Sequence, residues 1–473
     1  MSEQLYQIFN DLNLLKAEAA LILATVVFLV IGLMTYSRSI IKILYIACLV
    51  TFIVFQEGIA IDSSLIFDGI YKIGSLESFY KLLFVIFSAF LVFYPSEKKQ
   101  GVEFYFLLLA IVVGSIFMIS ANQLLLFYLA IELTSFASYL IVSLGSGTRV
   151  YEGSLKYLIF GGTSSAVMLY GMSIVYGYQG TLILTDFTYF GSESFYLFGL
   201  LTAFAGLFFK VSIFPFHIWV PSTYQEGPNA AISLIATVPK LSGFLVIIHW
   251  IESVHFFSYE WGRPLLVVLA ASTISIGVLV ALRQQNAKRL IAYGAIAHSG
   301  FLMCMILLPN NMGLNAFLWY SIIYAITNLG AFMMVSIFES KSIIELSDYD
   351  GLGTKNVWLG TIFTVILVAL IGLPPTLGFN AKLYMMSSLL SYVQIHNDIW
   401  ILLLFIITAL STVISLFFYL KVPYNMFLKS SNEVSVNTSF IEKIVATIFS
   451  MLLLLGFLFP DFLINIIDNI KLN

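Results

Sequence analysis

The chain has 473 residues, a mean hydropathy of +0.98, 60% hydrophobic and 16% aromatic residues, and only 10% charged ones, where a soluble domain carries about 25%. Such a composition cannot supply the polar shell of a water-soluble fold, so the chain belongs in a bilayer. The net charge of −3 offers no basic face for nucleic acid. Cys48 and Cys304 stand alone, which leaves iron–sulfur clusters, structural zinc and covalent haem without ligands.

The first sixteen residues are polar and mildly acidic, unlike the basic start of a cleaved signal peptide. Apolar runs that fit a span of ~20 residues follow near 17–36, 40–57, 77–95, 102–119, 122–144, 153–176, 195–218, 228–250, 264–282, 290–308, 314–338, 357–395, 399–420 and 440–467. The expectation is therefore an all-α polytopic membrane protein with about fourteen transmembrane helices and no room for a soluble domain. The run 357–395 is too long for one straight helix. The connections 58–76 and 339–356 mix charges with Gly and Ser and read as ordinary loops.

Positive residues orient the spans. Of 22 Lys and Arg residues, thirteen fall after odd-numbered segments: Arg38, Lys42, Lys98, Lys99, Arg149, Arg283, Lys288, Arg289, Lys341, Lys355, Lys421, Lys429 and Lys443. Five, namely Lys16, Lys72, Lys81, Arg263 and Lys471, fall on the other side. The positive-inside rule places the odd loops in the cytoplasm and both termini outside.

Four lysines remain within the segments: Lys156, Lys210, Lys240 and Lys382. A charge at mid-bilayer costs about 2.5–3.5 kcal/mol on insertion scales, so such residues are rare without a task. Lys210 and Lys240 lie near segment centres, whereas Lys156 is about one turn inside its segment and within reach of the interface. Glu132, in YLAIELTSFASYL (128–140), is the only acid near the centre of a segment and the natural partner for a buried lysine. A static ion pair that fixes helix packing is one reading. A proton relay is the other, favoured by the excess of central lysines over acids. Burial penalises a charged amine and a carboxylate neighbour favours it, so moving the partner can load and unload a proton.

Prolines mark where helices break. Pro215 follows Lys210 in FKVSIFPFHIW (209–219), and Pro374-Pro375 precede Lys382. Broken helices persist in membranes only where protein or water satisfies the freed carbonyls, so both places are candidate hydrated sites. His217 faces the way of Lys210 if helical geometry continues, and His298 lies centrally in RLIAYGAIAHSGF (289–301). His249, His255 and His396 read as interfacial. No carboxylate cluster suggests a metal site, and no Walker or GxGxxG motif stands at a strand-to-helix turn.

If segments 4–8 and 9–13 are equivalent five-helix units, their odd span number makes the second inverted relative to the first. The broken segments seven and twelve then match, as in transporter-like repeats. The expected division is 1–98 for helices one to three, 99–252 and 263–421 for the repeats, and 438–469 for a last helix.

SLKYLIFGGTSSAVMLYG (154–171), FKVSIFPFHIW, the ATVPK ending at Lys240, RLIAYGAIAHSGF and GLPPTLGFNAKLY (372–384) resemble the antiporter-like membrane subunits of respiratory complex I, a family shared with multisubunit sodium/proton antiporters. The match runs from about 100 to 390 with the motifs in order, and it is strongest to the subunit N branch. Lys382 favours that branch over subunit M, which typically has Glu there. The absence of sequence for a long lateral helix disfavours subunit L. The resemblance implies a coupled pair of Glu132 and Lys210, a central relay at Lys240, an exit-side group at Lys382, and auxiliary members Lys156, His217 and His298. It also implies a proton-pumping subunit of the bacterial inner membrane with no cofactor of its own. NADH, FMN, iron–sulfur clusters and quinone then belong to partner subunits of the complex. PSTYQEGP (221–228) departs from the family's acidic PDVYEG-like pattern, with Ser222 and Gln225 in place and Glu226 nearby. The alternatives are a cation/proton antiporter subunit and a structural spacer whose ion pair is inert.

Overall fold

The computed structural model describes residues 2–35, 37–56, 63–95, 100–145, 150–191, 193–430, 438–468 and 470. Lys98, Lys99, Arg149 and Lys471, used above for orientation, lie outside the described residues.

Helix α1 (Ser2–Leu14) precedes α2 (Lys16–Leu33) and α3 (Arg38–Phe55). An antiparallel hairpin of β1 (Ser64–Ile66) and β2 (Tyr71–Ile73) leads to α4 (Ser75–Phe90), α5 (Val102–Ser120), α6 (Leu124–Val142) and α7 (Val150–Gln179). Next come α8 (Ser194–Lys210), the short α9 (Trp219–Glu226) and α10 (Asn229–Ser253). The second half holds α11 (Gly262–Ala281), α12 (Ala287–Ile306), α13 (Asn310–Glu339), the one-turn α14 (Leu352–Lys355), α15 (Val357–Ile371), α16 (Leu377–His396), α17 (Ile399–Leu428), α18 (Phe440–Leu458) and α19 (Asp461–Asp468). Among the described residues, 12 helices are long and apolar enough to cross a membrane, and α8 and α15 are shorter apolar helices.

The two broken segments have different local causes. After α8 the chain leaves helical geometry at Ser212, with φ of 64°, and the Phe214–Pro215 peptide bond is cis. Proline supplies no amide hydrogen, so the helix cannot run on through it. Helix α15 ends on Gly372 in the left-handed region, φ 83°. The amides of Gly372 and Leu373 both return to the Val368 carbonyl, at 3.0 and 3.2 Å, a glycine-capped helix end. A Cβ on Gly372 would lie 2.6 Å from Lys382 Cδ, so glycine here also makes room for the lysine stem.

Two expectations are corrected. Residues 58–76 are not a plain loop, because Ser64–Ile73 form the hairpin around the Asp68-Gly69 turn. Strands of three residues are too short to show an alternating pattern. The last apolar run, 440–467, divides into α18 and α19 at Phe459-Pro460, since proline disfavours helix at the residue before it. The polar N-terminus is itself helical, as α1.

The interior is built from α10, α13 and α12, with 94%, 94% and 89% of their membrane windows buried. Helices α2, α3, α17 and α18 bury about a third or less and form the apolar rim. Helix α10 is therefore apolar all round rather than amphipathic, as expected of a helix enclosed by others.

Candidate functional site

Three sequence-selected lysines sit inside the bundle: Lys210 at 7%, Lys240 at 1% and Lys382 at 4% exposure. None of them can snorkel to an interface. Lys210 closes α8, and its Nζ donates to the Ser135 hydroxyl on α6 at 3.1 Å. Its stem rests against α10 at Gly243, where a Cβ would lie 3.6 Å from Lys210 Cγ. Gly243 is one turn beyond Lys240, and a Cβ there would also lie 2.8 Å from Val211 Cγ1, so the glycine lets the end of α8 pack closely against the stretch of α10 that carries Lys240.

Lys240 follows Pro239 within α10, and its Nζ donates to the Ala295 carbonyl of α12 at 3.2 Å. The Tyr324 ring of α13 lies 5.9 Å from the same ammonium, while the Tyr324 hydroxyl donates to the Ala236 carbonyl at 2.9 Å. His298, on α12, has Nδ1 2.8 Å from the Tyr320 hydroxyl. Lys382, on α16, donates to the Ile371 carbonyl at 2.7 Å and lies 4.8 Å from the Phe301 ring. Its acceptor is the last residue of α15, so the broken helix offers the lysine an orphan carbonyl at the negative end of its dipole. A cavity lined by His298, Tyr320, Tyr324, Thr327, Ala381 and Lys382 has ≈ 10 Å³ for a water centre. That is room for about one water. Lys240, Tyr324, His298, Tyr320 and Lys382 thus form one polar seam that runs from α10 into the second half of the chain.

Other expected members are placed differently. Glu132 is half-buried and accepts a short hydrogen bond from Ser165 of α7. It lies within coulombic range of Lys210 but forms no ion pair with it, so the expected direct pair is replaced by two hydroxyl contacts, Ser165 and Ser135. Lys156 is 49% exposed and pairs with Glu152 one turn away at 2.5 Å, outside the seam. His217 does not share a face with Lys210, because the helical geometry that would align them stops at the break. It lies instead beside Phe214, ring centroids 5.8 Å apart.

A second interior acid stands at a helix start rather than at a segment centre. Glu18, Lys81 and Tyr71 form a buried triad: Lys81 donates to Glu18 at 2.7 Å and to Tyr71 at 3.0 Å, and Tyr71 donates to Glu18 at 2.9 Å. Lys81 and Glu18 are 2% and 4% exposed. Sequence reading also missed Tyr320 and Tyr324. Their i,i+4 spacing in WYSIIYAIT was the available signal, since it puts both hydroxyls on one face.

A sequence model of the NADH:quinone oxidoreductase/Mrp antiporter transmembrane family matches residues 121–415. The chain belongs to that family. Within it the chain is of the subunit N type. It is 33% identical over 428 residues to NADH-quinone oxidoreductase subunit N of Chlorobium chlorochromatii, covering 85% of this chain and 82% of that one. It is 31% identical to the subunit N of Pelagibacter ubique, over 89% and 90% of the two chains. Its fold matches a chain of respiratory complex I from Thermus thermophilus with TM-score 0.78 at 24% identity, covering 94% and 97%. A chain of the Mrp complex from Dietzia sp. shares the fold with TM-score 0.82 at 16% identity, covering 98% and 96%. The matched region of the family contains every lysine and histidine of the seam, and the Glu18 triad lies ahead of it.

Proposed function

We propose that this chain is the proton-translocating subunit N of a membrane-bound NADH-quinone oxidoreductase, with Glu132, Lys210, Lys240, His298 and Lys382 as its relay. Electron transfer from NADH through FMN and iron–sulfur clusters to quinone takes place in partner subunits, and this polypeptide supplies translocation. The observation that carries the reading is the row of interior bases without matching interior acids. Lys240 and Lys382 are held by carbonyls and Lys210 by a hydroxyl. A carbonyl stabilises an ammonium less than a carboxylate does, so such an amine is poised to give up its proton.

In this reading a proton taken up near Glu132 and Lys210 passes along α10 to Lys240. It crosses by Tyr324, His298 and the one-water cavity to Lys382, beside the second break. Lys156 and His217 stand outside this route. The division into fourteen spans, with inverted five-helix units over segments 4–8 and 9–13, accommodates both broken segments at matching positions. The two termini then share the periplasmic side.

Lys240→Met in the assembled complex tests the reading. The expected outcome is normal assembly with coupled quinone reduction and vesicle acidification lowered on the order of 100-fold, the scale of a lost proton-transfer group. Normal pumping by assembled Lys240→Met or Glu132→Ala enzyme refutes the relay. Sodium-dependent proton exchange without NADH oxidation would instead identify a cation/proton antiporter.

A further inference from the structure

The stretch PSTYQEGP (221–228) is set apart by its sequence and lies off the relay. In the structure it forms the end of α9, and its carbonyl end is gripped by the second half of the chain. The Lys288 ammonium lies 3.4 Å from the Gln225 carbonyl, 3.2 Å from the Gly227 carbonyl and 2.8 Å from the Glu339 carboxylate at the end of α13. Arg289 donates to the Gln225 side chain at 3.3 Å, and Asn229, the first residue of α10, donates to the same Glu339 carboxylate. On the opposite side α9 is seated against α7, where a Cβ on Gly153 would lie 3.2 Å from Glu226 Cβ and 3.3 Å from the Ser222 carbonyl.

Helix α12 does not explain this lysine. Lys288 is the second residue of α12, the positive end of its dipole, where a cation is disfavoured, and it is only 6% exposed. The orphan carbonyls of α9 do explain it, because an ammonium at a helix C-terminus satisfies them and meets the negative end of the dipole. The positive-inside reading counted Lys288 as a loop marker, yet its three oxygen partners come from α9, the cap of α9 and α13.

We propose that Lys288, braced by Glu339, is a positioning residue that pins the carbonyl end of α9 to the second half of the chain. Helix α9 joins the break after Lys210 to the start of the helix carrying Lys240. The pin therefore fixes the spacing of those two lysines and ties movement of the first break to α12 and α13. This rests on the reading of Lys210 and Lys240 as proton carriers.

The test uses the purified, assembled complex with Lys288→Met, Lys288→Arg and Glu339→Gln. Amide hydrogen exchange over residues 219–228 should rise about tenfold or more in Lys288→Met, the scale of losing charge-assisted hydrogen bonds. Protons moved per NADH should fall while electron transfer continues, and Lys288→Arg should restore both readouts in large part. Glu339→Gln, which leaves the carbonyl contacts of Lys288 in place, should give an intermediate exchange rate, and it carries the test if Lys288→Met does not assemble. Unchanged exchange, or raised exchange with an unchanged proton-to-electron ratio, overturns the pin. Lys240→Met measured alongside separates the two readings: normal pumping there refutes the relay, whereas the exchange data judge the pin by themselves.

Discussion

Replacing Glu18 by alanine leaves the Lys81 ammonium, 2% exposed, with the Tyr71 hydroxyl at 3.0 Å and the Tyr71 ring at 4.9 Å as its neighbours. Removing one partner of a buried ion pair costs about 3–5 kcal/mol, because the remaining charge is uncompensated. At 1.4 kcal/mol per factor of ten, that is roughly 10²- to 4 × 10³-fold in the folded ratio of the N-terminal helices. Removing both charges is milder. Glu18→Ala with Lys81→Met leaves the Tyr71 hydroxyl without its carboxylate acceptor, a loss of about 1–3 kcal/mol, so the double variant should be about 2 kcal/mol more stable than Glu18→Ala alone. The assay is a double-mutant cycle on the amount of assembled complex in native gels and on its thermal inactivation midpoint in detergent. A Glu18→Ala complex as abundant and heat-resistant as the parent refutes the reasoning, and so does a double variant no better than the single.

Two further outcomes follow from the site. Tyr320→Phe removes the hydroxyl 2.8 Å from His298 Nδ1; turnover should fall about tenfold at normal assembly, the scale of one unsatisfied buried polar group, and pumping rates in vesicles check it. Lys156→Met breaks only an exposed ion pair, so assembly and pumping should stay within about twofold of the parent, and a large loss would return Lys156 to the relay.

Lys210, Lys240 and Lys382 were legible in the sequence because each interrupts an apolar run where nothing but a local partner or a task explains a charge. The breaks were legible too, through Pro215 and Pro374-Pro375. Lys81 and Lys288 were not. Each stands near a segment end, where orientation accounts for a lysine, and their burial is set by partners as remote in sequence as Glu18 and Gln225. Periodicity failed for His217 because it assumes a continuous helix, and α8 ends at Lys210, ahead of that histidine. Charge pattern named Glu132 only as a natural partner for a buried lysine, and the resemblance coupled it to Lys210. In the structure Lys210 donates to Ser135 and Ser165 donates to Glu132, small hydroxyls whose position no pattern of hydrophobicity reports.

The contact between Lys382 and the Ile371 carbonyl has a mechanical meaning. A carboxylate partner can be silenced by taking up a proton of its own, but a carbonyl oxygen does not titrate in the physiological range, so its hold on the amine depends on distance and alignment alone. Because that carbonyl is the loose end of α15 and the amine rides on α16, a slide or tilt between the two half-helices adjusts the hold with no second proton moving. If Lys382 carries protons as proposed, displacement of α15 against α16 changes the proton affinity of a single nitrogen.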